Sequence, residues 1–395
     1  MPSLSRRRLV FGAFFAGLAL LGVLAVALVN YAVDPYGVFG VAPVPGFNAV
    51  KPRPDVMLRE IKFILGKRAR PQALIIGNSR AEVGFDPQHP VFRMRQLRGF
   101  NAAVPGSGTE YAAAALQRFA ASDEIQVAVV GLDFLDFLYA PNETERPASS
   151  PAPQWATTRT RLLALFSSTA AIDSVTTLLI QRERNPATLR ADGFNPMLDY
   201  RDIAAREGYF ALFRQRALES ARNLAKQPHN LYVGGPRTSP SFAALEAMLR
   251  TAGEKGIELR FVIYPYHRLL MSQLRDAGLW PLFEQWKTDV TALIDDARRR
   301  GVRVSLWDFA CPDGFTDEPV PAPGDRAATM QWYWEAGHFK KELGDRVLAR
   351  IFDDPGASES FGFELSAANV ADRNLACRRA LAATRSSAAA DGYGK

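Results

Sequence analysis

Five short apolar runs, at residues 73–76, 99–103, 126–131, 258–263 and 302–307, constrain this chain more than any other feature. Each has strand length and is bounded by turn residues, so each reads as a buried strand. Helical patterns separate several of them. Residues 110–121 are Ala-rich, with Leu116 and Phe119 on one side. Phe242, Leu245, Met248 and Ala252 fall at helical spacing, as do Leu282, Trp286, Val290, Leu293 and Ala297. Pro240 after Ser239 is a helix start, and Gly256 and Gly301 follow basic last turns as helix stops do. Strands alternating with helices predict a parallel sheet covered on both faces: a three-layer α/β/α, doubly wound fold. The chain has 395 residues, 48% of them hydrophobic, which is ample for such a core.

The sheet pattern begins only at residue 71. Before it, Arg6-Arg7-Arg8 closes a basic segment, 1–8, and an apolar run without charge follows at 9–29. That run is about 21 residues, enough to cross a bilayer once as a helix. The basic flank stays cytoplasmic, so the rest of the chain is expected outside the cytoplasm. Ala25-Val26-Ala27 also fits a signal-peptide cleavage site. The length of the run favours a retained anchor. Tyr31 and Tyr36 suit a membrane interface, and 30–70 reads as a juxtamembrane connector that becomes helical near 56–65.

The α/β pattern spans 71–355 and is interrupted at 140–235. Pro141, Pro147, Pro151 and Pro153 open a loop there, and two amphipathic helices follow near 161–181 and 203–226. Leu162, Leu165, Phe166, Ile172, Val175 and Leu179 read as core-packing positions. The block is expected to be a helical insertion capping the ligand edge of the sheet. A last sheet helix runs through Leu343, Val347 and Ile351. Residues 356–395 form an extension whose end, after Ser386, frays.

The net charge of +7 is spread along the chain without a basic stripe interleaved with aromatics, which argues against nucleic acid. Cys311 and Cys377 are the two cysteines. They lack metal-type spacing, and they form either one disulfide in an exported domain or two buried thiols. No metal or cofactor pattern is present.

Candidate chemistry starts at Gly77-Asn78-Ser79-Arg80, directly after the first strand. Open parallel sheets place their ligands at strand carboxyl ends. A serine nucleophile needs a base, and the chain has four histidines: His89, His229, His267 and His338. His338 follows Glu335 by three residues in Glu335-Ala336-Gly337-His338, close enough for the carboxylate to orient the imidazole. Ser79, His338 and Glu335 thus make a nucleophile, base and orienter. Asp308, after the fifth strand, is a rival orienter or a turn-capping residue. His89 and His229 lie in Pro-flanked loops.

These blocks, in this order, resemble the SGNH/GDSL hydrolase superfamily over about 71–140 and 256–352. The resemblance implies Ser79 as nucleophile and a glycine amide donating to the oxyanion. Gly106, in Asn101-Ala102-Ala103-Val104-Pro105-Gly106-Ser107-Gly108, matches that glycine, with Gly108 the second choice. Glu335 stands for the family's Asp, two residues before Gly337 and three before His338. The family's third block is Gly-x-Asn-Asp, and here Gly131-Leu132-Asp133-Phe134 puts Asp133 where an Asn donates to the oxyanion. An ionised carboxylate cannot donate, and loss of one such donor costs about 2.7–4 kcal/mol. Asp133 is therefore protonated, or turned elsewhere, or replaced by another donor, or the site binds without catalysing. Arg80 either pairs with Asp133 or faces substrate. Asn101 and His267 are further candidate substrate contacts, His267 alternatively being a loop histidine without a role.

A looser resemblance is to membrane-anchored SGNH-like proteins of bacterial surface-polysaccharide assembly, such as those of alginate O-acetylation. It implies a single-pass protein of the bacterial inner membrane with its C-terminal domain in the periplasm or outside. The expected function is an esterase or O-acyltransferase acting on acyl esters of envelope glycans, with no cofactor. The alternatives are a non-catalytic glycan-binding or scaffold protein of the same fold, and a partner of a membrane acyltransferase.

Overall fold

The five parallel strands form around β1 (Ala73–Ile76), whose four residues are all buried. A computed structural model describes residues 3–140, 155–226, 229–233, 235, 238–358 and 360–383. The proline-rich opening of the insertion (Pro141, Pro147, Pro151, Pro153) and the chain end after Ser386 lie outside the described residues. In chain order the first helices are α1 (Ser3–Val33), α2 (Leu58–Ala69), α3 (Ser79–Gly84), α4 (Pro90–Met94) and α5 (Thr109–Ala120). Then come α6 (Trp155–Phe166), α7 (Ser168–Ile180), α8 (Asp199–Glu207), α9 (Tyr209–Leu224) and α10 (Pro240–Lys255). The last are α11 (Arg268–Asp276), α12 (Trp280–Arg299), α13 (Lys341–Ile351) and α14 (Val370–Ala383).

The chain divides into two units, Met1–Leu65 with Ala152–Ala191, and Gly66–Pro151 with Asp192–Lys395. The second unit is mixed α/β. Its sheet has the order β2-β1-β3-β4-β5-β8, with β2 (Gly99–Asn101), β3 (Val127–Leu132), β4 (Glu258–Ile263), β5 (Val304–Asp308) and β8 (Phe363–Glu364). The first five strands are parallel and β8 is antiparallel. Strand order reverses at β1, which lies between β2 and β3, and such a reversal opens a crevice at the carboxyl ends. A separate hairpin pairs β6 (Tyr333–Glu335) with β7 (His338–Phe339). All five expected strands exist, with ends shifted by up to two residues.

The C-terminal extension does not stop the domain at 355. β8 adds to the sheet edge, and α14 packs on α11 and α12. Cys311, after β5, and Cys377, on α14, form a disulfide with Cα atoms 5.1 Å apart. α14 is thereby held to the end of a core strand.

The first unit is built on α1. Its segment Arg7–Val33 is long and apolar enough to cross a membrane, with a mean hydropathy of 2.6. Its last turns are enclosed by α6 and α7, so Asn30 and Val33 are buried. Asn30 Nδ2 donates to the Leu165 carbonyl at 2.8 Å, and Ser174 Oγ donates to Asn30 Oδ1 at 2.8 Å. Lys51 Nζ donates to the carbonyls of Val33 (3.0 Å) and Asp34 (2.6 Å) at the carboxyl end of α1, where a cation suits the helix terminus.

The expected single insertion is therefore two pieces. Its first helices, α6 and α7, belong to the unit of α1, whereas α8 and α9 belong to the α/β unit. Leu162, Phe166, Ile172, Val175 and Leu179 are exposed, not core. Helical periodicity shows an apolar face but not what covers it, and the core-packing expectation for these five residues fails.

Candidate active site

Ser79 opens α3 one residue past the Gly77-Asn78 turn that ends β1. Asn78 caps the helix, its Oδ1 accepting from the Arg80 amide at 3.0 Å. Gly77 has φ +154, and a Cβ there would strike the Tyr264 hydroxyl and come within 2.9 Å of Ala81 Cβ. Only glycine lets the strand turn so closely over β4's end.

The base arrives from 259 residues away on the hairpin. Glu335 and His338 are cross-strand partners, joined by the two-residue turn Ala336-Gly337. The acidic-x-x-His spacing is thus hairpin geometry: it puts both side chains on one side of a tight turn. The Gly337 amide donates to Glu335 Oε2 at 2.6 Å and fixes the carboxylate. The hairpin is pressed onto α3 because Gly84 has no side chain to meet the Phe339 ring, and Gly344 of α13 packs on the Gly84 carbonyl in the same way. Phe85 and Tyr264 complete the ring cluster around Phe339, at centroid distances of 5.4 and 6.1 Å.

The result is a linear relay. His338 Nε2 lies 2.7 Å from Ser79 Oγ, and His338 Nδ1 is hydrogen-bonded to Glu335 Oε1. Glu335 is 3% exposed. Burial pushes its carboxyl up, but His338, Arg216 and the Gly337 amide outweigh it and hold the group below its ordinary value. An ionised Glu335 only accepts, so Nδ1 carries the ring proton. Nε2 then offers a lone pair to the Ser79 hydroxyl, which is the tautomer a general base needs.

Sequence reasoning missed Arg216. It lies on α9, its Nε 3.4 Å from Glu335 Oε2 and its guanidinium 3.4 Å from His338 Nδ1. One arginine among many on an amphipathic helix carried no signal.

Asp133 is turned inward. It is 2% exposed and accepts four donors: Asn78 Nδ2 (2.9 Å), Tyr266 hydroxyl (2.6 Å), the Leu135 amide (3.1 Å) and the Arg80 guanidinium. Of the readings open from sequence, this geometry is that of a carboxylate engaged away from an oxyanion. Burial pushes the Arg80 guanidinium down, but Asp133 more than offsets it and the group stays above its ordinary value. The Tyr266 phenol is held well above its usual range by burial and by Asp133.

Three candidate substrate contacts are engaged by neighbouring protein groups. Arg80 pairs with Asp133 and lies over the Tyr266 ring. Asn101 is fully buried, donating to the carbonyls of Ala81 (2.8 Å) and Phe85 (2.9 Å) and accepting from the Ala103 amide. It stitches β2 to α3 and so supports Ser79 indirectly. His267 caps α11, Nδ1 accepting from the Leu269 amide at 3.2 Å and Nε2 donating to the Glu318 carbonyl at 2.9 Å. Burial pushes this imidazole down to about 4. Asp308 is likewise structural, paired with Lys287 (3.2 Å) and Arg373 (3.3 Å) while capping a turn at Ala310.

Gly106 sits in an exposed turn with φ +64. That loop is fastened to the nucleophile's turn: the Val104 amide (3.0 Å) and Ser107 Oγ (3.1 Å) both donate to the Gly77 carbonyl. A cavity of about 670 Å³ lies among Phe194, Arg201, Tyr209, Arg326, Trp334 and Lys340. It touches the hairpin that carries Glu335 and His338, but neither they nor Ser79 line it. No family model matches the chain, and no curated protein matches it significantly.

Proposed function

We propose that this chain is an SGNH-type serine esterase or O-acyltransferase, anchored in a membrane by α1 and acting on acyl esters of cell-envelope glycans. One observation carries the reading: Ser79 Oγ, His338 Nε2 and His338 Nδ1 with Glu335 stand in hydrogen-bonded line on the sheet edge where the strand order reverses. His338 takes the Ser79 proton as Oγ attacks the ester carbonyl. The tetrahedral oxyanion is met by the amides of Ser79 and Gly106. Its collapse breaks the C–O bond, and the leaving alkoxide takes the proton from His338 Nε2. Water or a sugar hydroxyl then repeats the sequence on the acyl-enzyme, returning Ser79. Glu335 stabilises the imidazolium in both halves.

A second reading has its own support. With Asp133 accepting four donors, the third donor of the SGNH oxyanion hole is missing. A site weakened by about 2.7–4 kcal/mol suits a glycan-binding or scaffold protein as well as a slow enzyme. A fluorophosphonate probe separates the two. Labelling of the full chain, abolished by Ser79→Ala, supports the enzyme; glycan binding without labelling supports the binder. Hydrolysis of p-nitrophenyl acetate that survives Ser79→Ala rejects the mechanism.

A further inference from the structure

We propose that α6 and α7 form a lipid-embedded V beside α1, sunk into the bilayer leaflet that holds the carboxyl-terminal half of α1. The argument begins with which way each helix faces. α7 turns Ala170, Ser174 and Thr177 inward and leaves Ile172, Val175 and Leu179 exposed at 65%, 56% and 69%. α6 does likewise, with Thr160 and Ala164 buried and Leu162 and Phe166 about half exposed. A helix on the surface of a protein in water has the opposite arrangement. Small and polar residues inside, with large apolar residues outside, is the arrangement of helices that pack in lipid.

Length and shape say how deep they go. α6 has 12 residues and α7 has 13, so each is about 18–20 Å long, short of the about 30 Å of a hydrocarbon core. They are joined at Ser167 with a bend of 65°. Neither spans alone, and so bent a pair enters one leaflet and returns. Polar groups on the middle of α7 have partners. Asp173 accepts from the Tyr36 hydroxyl at 2.6 Å, Ser174 donates to Asn30, and Thr177 Oγ1 donates back to the Asp173 carbonyl at 2.6 Å. Exposed Arg159 and Arg161 stand on α6, where long basic side chains reach phosphate headgroups.

The occupant is identified by continuity. α6 and α7 pack on α1 itself, around Asn30, and α1 is apolar and exposed over the residues before it. The medium that covers those residues continues onto Ile172 and Leu179. This rests on reading α1 as a membrane helix, not on the esterase proposal. The same packing opposes cleavage after Ala27, because Ala27 and Asn30 are both buried in the three-helix contact.

The test uses the full chain in phosphatidylcholine–phosphatidylglycerol vesicles. A nitroxide is placed at Ile172→Cys or Leu179→Cys, with Leu20→Cys in α1 as lipid reference and Glu254→Cys as water reference; all four parent residues are exposed. Native cysteines are tied in the disulfide. Collision with oxygen and with a water-soluble nickel chelate is then compared. The expected result is an oxygen-to-nickel ratio at 172 and 179 that matches Leu20 and exceeds Glu254 several-fold. A ratio matching Glu254 overturns the proposal, as does exclusion of both reagents, which identifies a protein partner or a second copy on this face. A melting temperature equal to the parent's confirms that each labelled variant is folded.

Discussion

Replacing Asp133 with Asn separates what the family resemblance expects from what the geometry dictates. By resemblance, the substitution restores an oxyanion donor worth about 2.7–4 kcal/mol, or roughly 10²–10³ in rate. By geometry it does the reverse. Oδ1 of Asp133 receives Tyr266 and Leu135, and Oδ2 receives Asn78 and Arg80. An amide keeps one acceptor oxygen. The other position becomes an NH₂ facing the donors of Asn78 and Arg80, and a guanidinium whose side chain is 13% exposed loses its counter-ion. Breaking a pair buried this deeply costs about 3–5 kcal/mol, with little screening by solvent to discount. For a unit of this size that lowers Tm by about 5–8 °C. The measurement is thermal unfolding of Asp133→Asn in detergent, alongside p-nitrophenyl acetate turnover. Adding Arg80→Gln should recover part of the loss, since the two sites are in contact and their effects are not additive. An unchanged Tm together with faster turnover would refute the reasoning, because it would mean that position 133 is free to face the substrate.

Glu335→Gln presents an amide to His338 Nδ1 and allows the wrong tautomer. We expect esterase kcat to fall by about 10⁴-fold with the fold intact, read by turnover and by circular dichroism. His267 gives the domain an acid limit. Its folded value of about 4 lies below its ordinary 6.5, so the unfolded chain binds more protons between them. Its contribution is full above about pH 6.5 and is lost as pH falls to about 4, amounting to about 3 kcal/mol. His267→Asn, which can still cap α11, should flatten the Tm-versus-pH curve across that window, although it weakens the bond to Glu318. Reducing Cys311–Cys377, which closes a loop with a sequence separation of 66, should cost about 4 kcal/mol, seen as a lower Tm with dithiothreitol and absent in Cys377→Ser.

What could be read from sequence was local and periodic. The runs at β1 to β5 are apolar because both of their faces are covered, and that signal is independent of partners. Ser79 and the Glu335/His338 pair were legible because a strand-end hydroxyl and an acid three residues before a histidine are each set by short-range geometry. Arg216, Tyr266 and the inward turn of Asp133 were not legible, since each depends on which distant element arrives beside it. The same limit explains α14: its apolar residues are few, and the disulfide that ties it down pairs two cysteines without local context. It also explains α6 and α7, whose apolar stripes look alike in sequence whether protein or lipid covers them.

If Ser79 is the nucleophile proposed above, the charges around it bear on the replacement at position 133. Two buried carboxylates bracket the nucleophile, and each has an arginine: Asp133 has Arg80, and Glu335 has Arg216. Unpaired, Asp133 would oppose the oxyanion that forms at Ser79. Paired with Arg80 and bonded by three further donors, it presents little net charge to that oxygen. Arg216 also lies only 3.4 Å from His338 Nδ1. Arg216 is also the only one of the four with substantial exposure, its side chain being 34% accessible. If the chain acts on esters as proposed, a substrate carrying an anionic group beside its ester would have that guanidinium as a partner. On that proposal acidic glycans should be preferred over neutral ones, and comparing kcat/KM for acetylated uronate and acetylated glucose oligomers checks the preference directly.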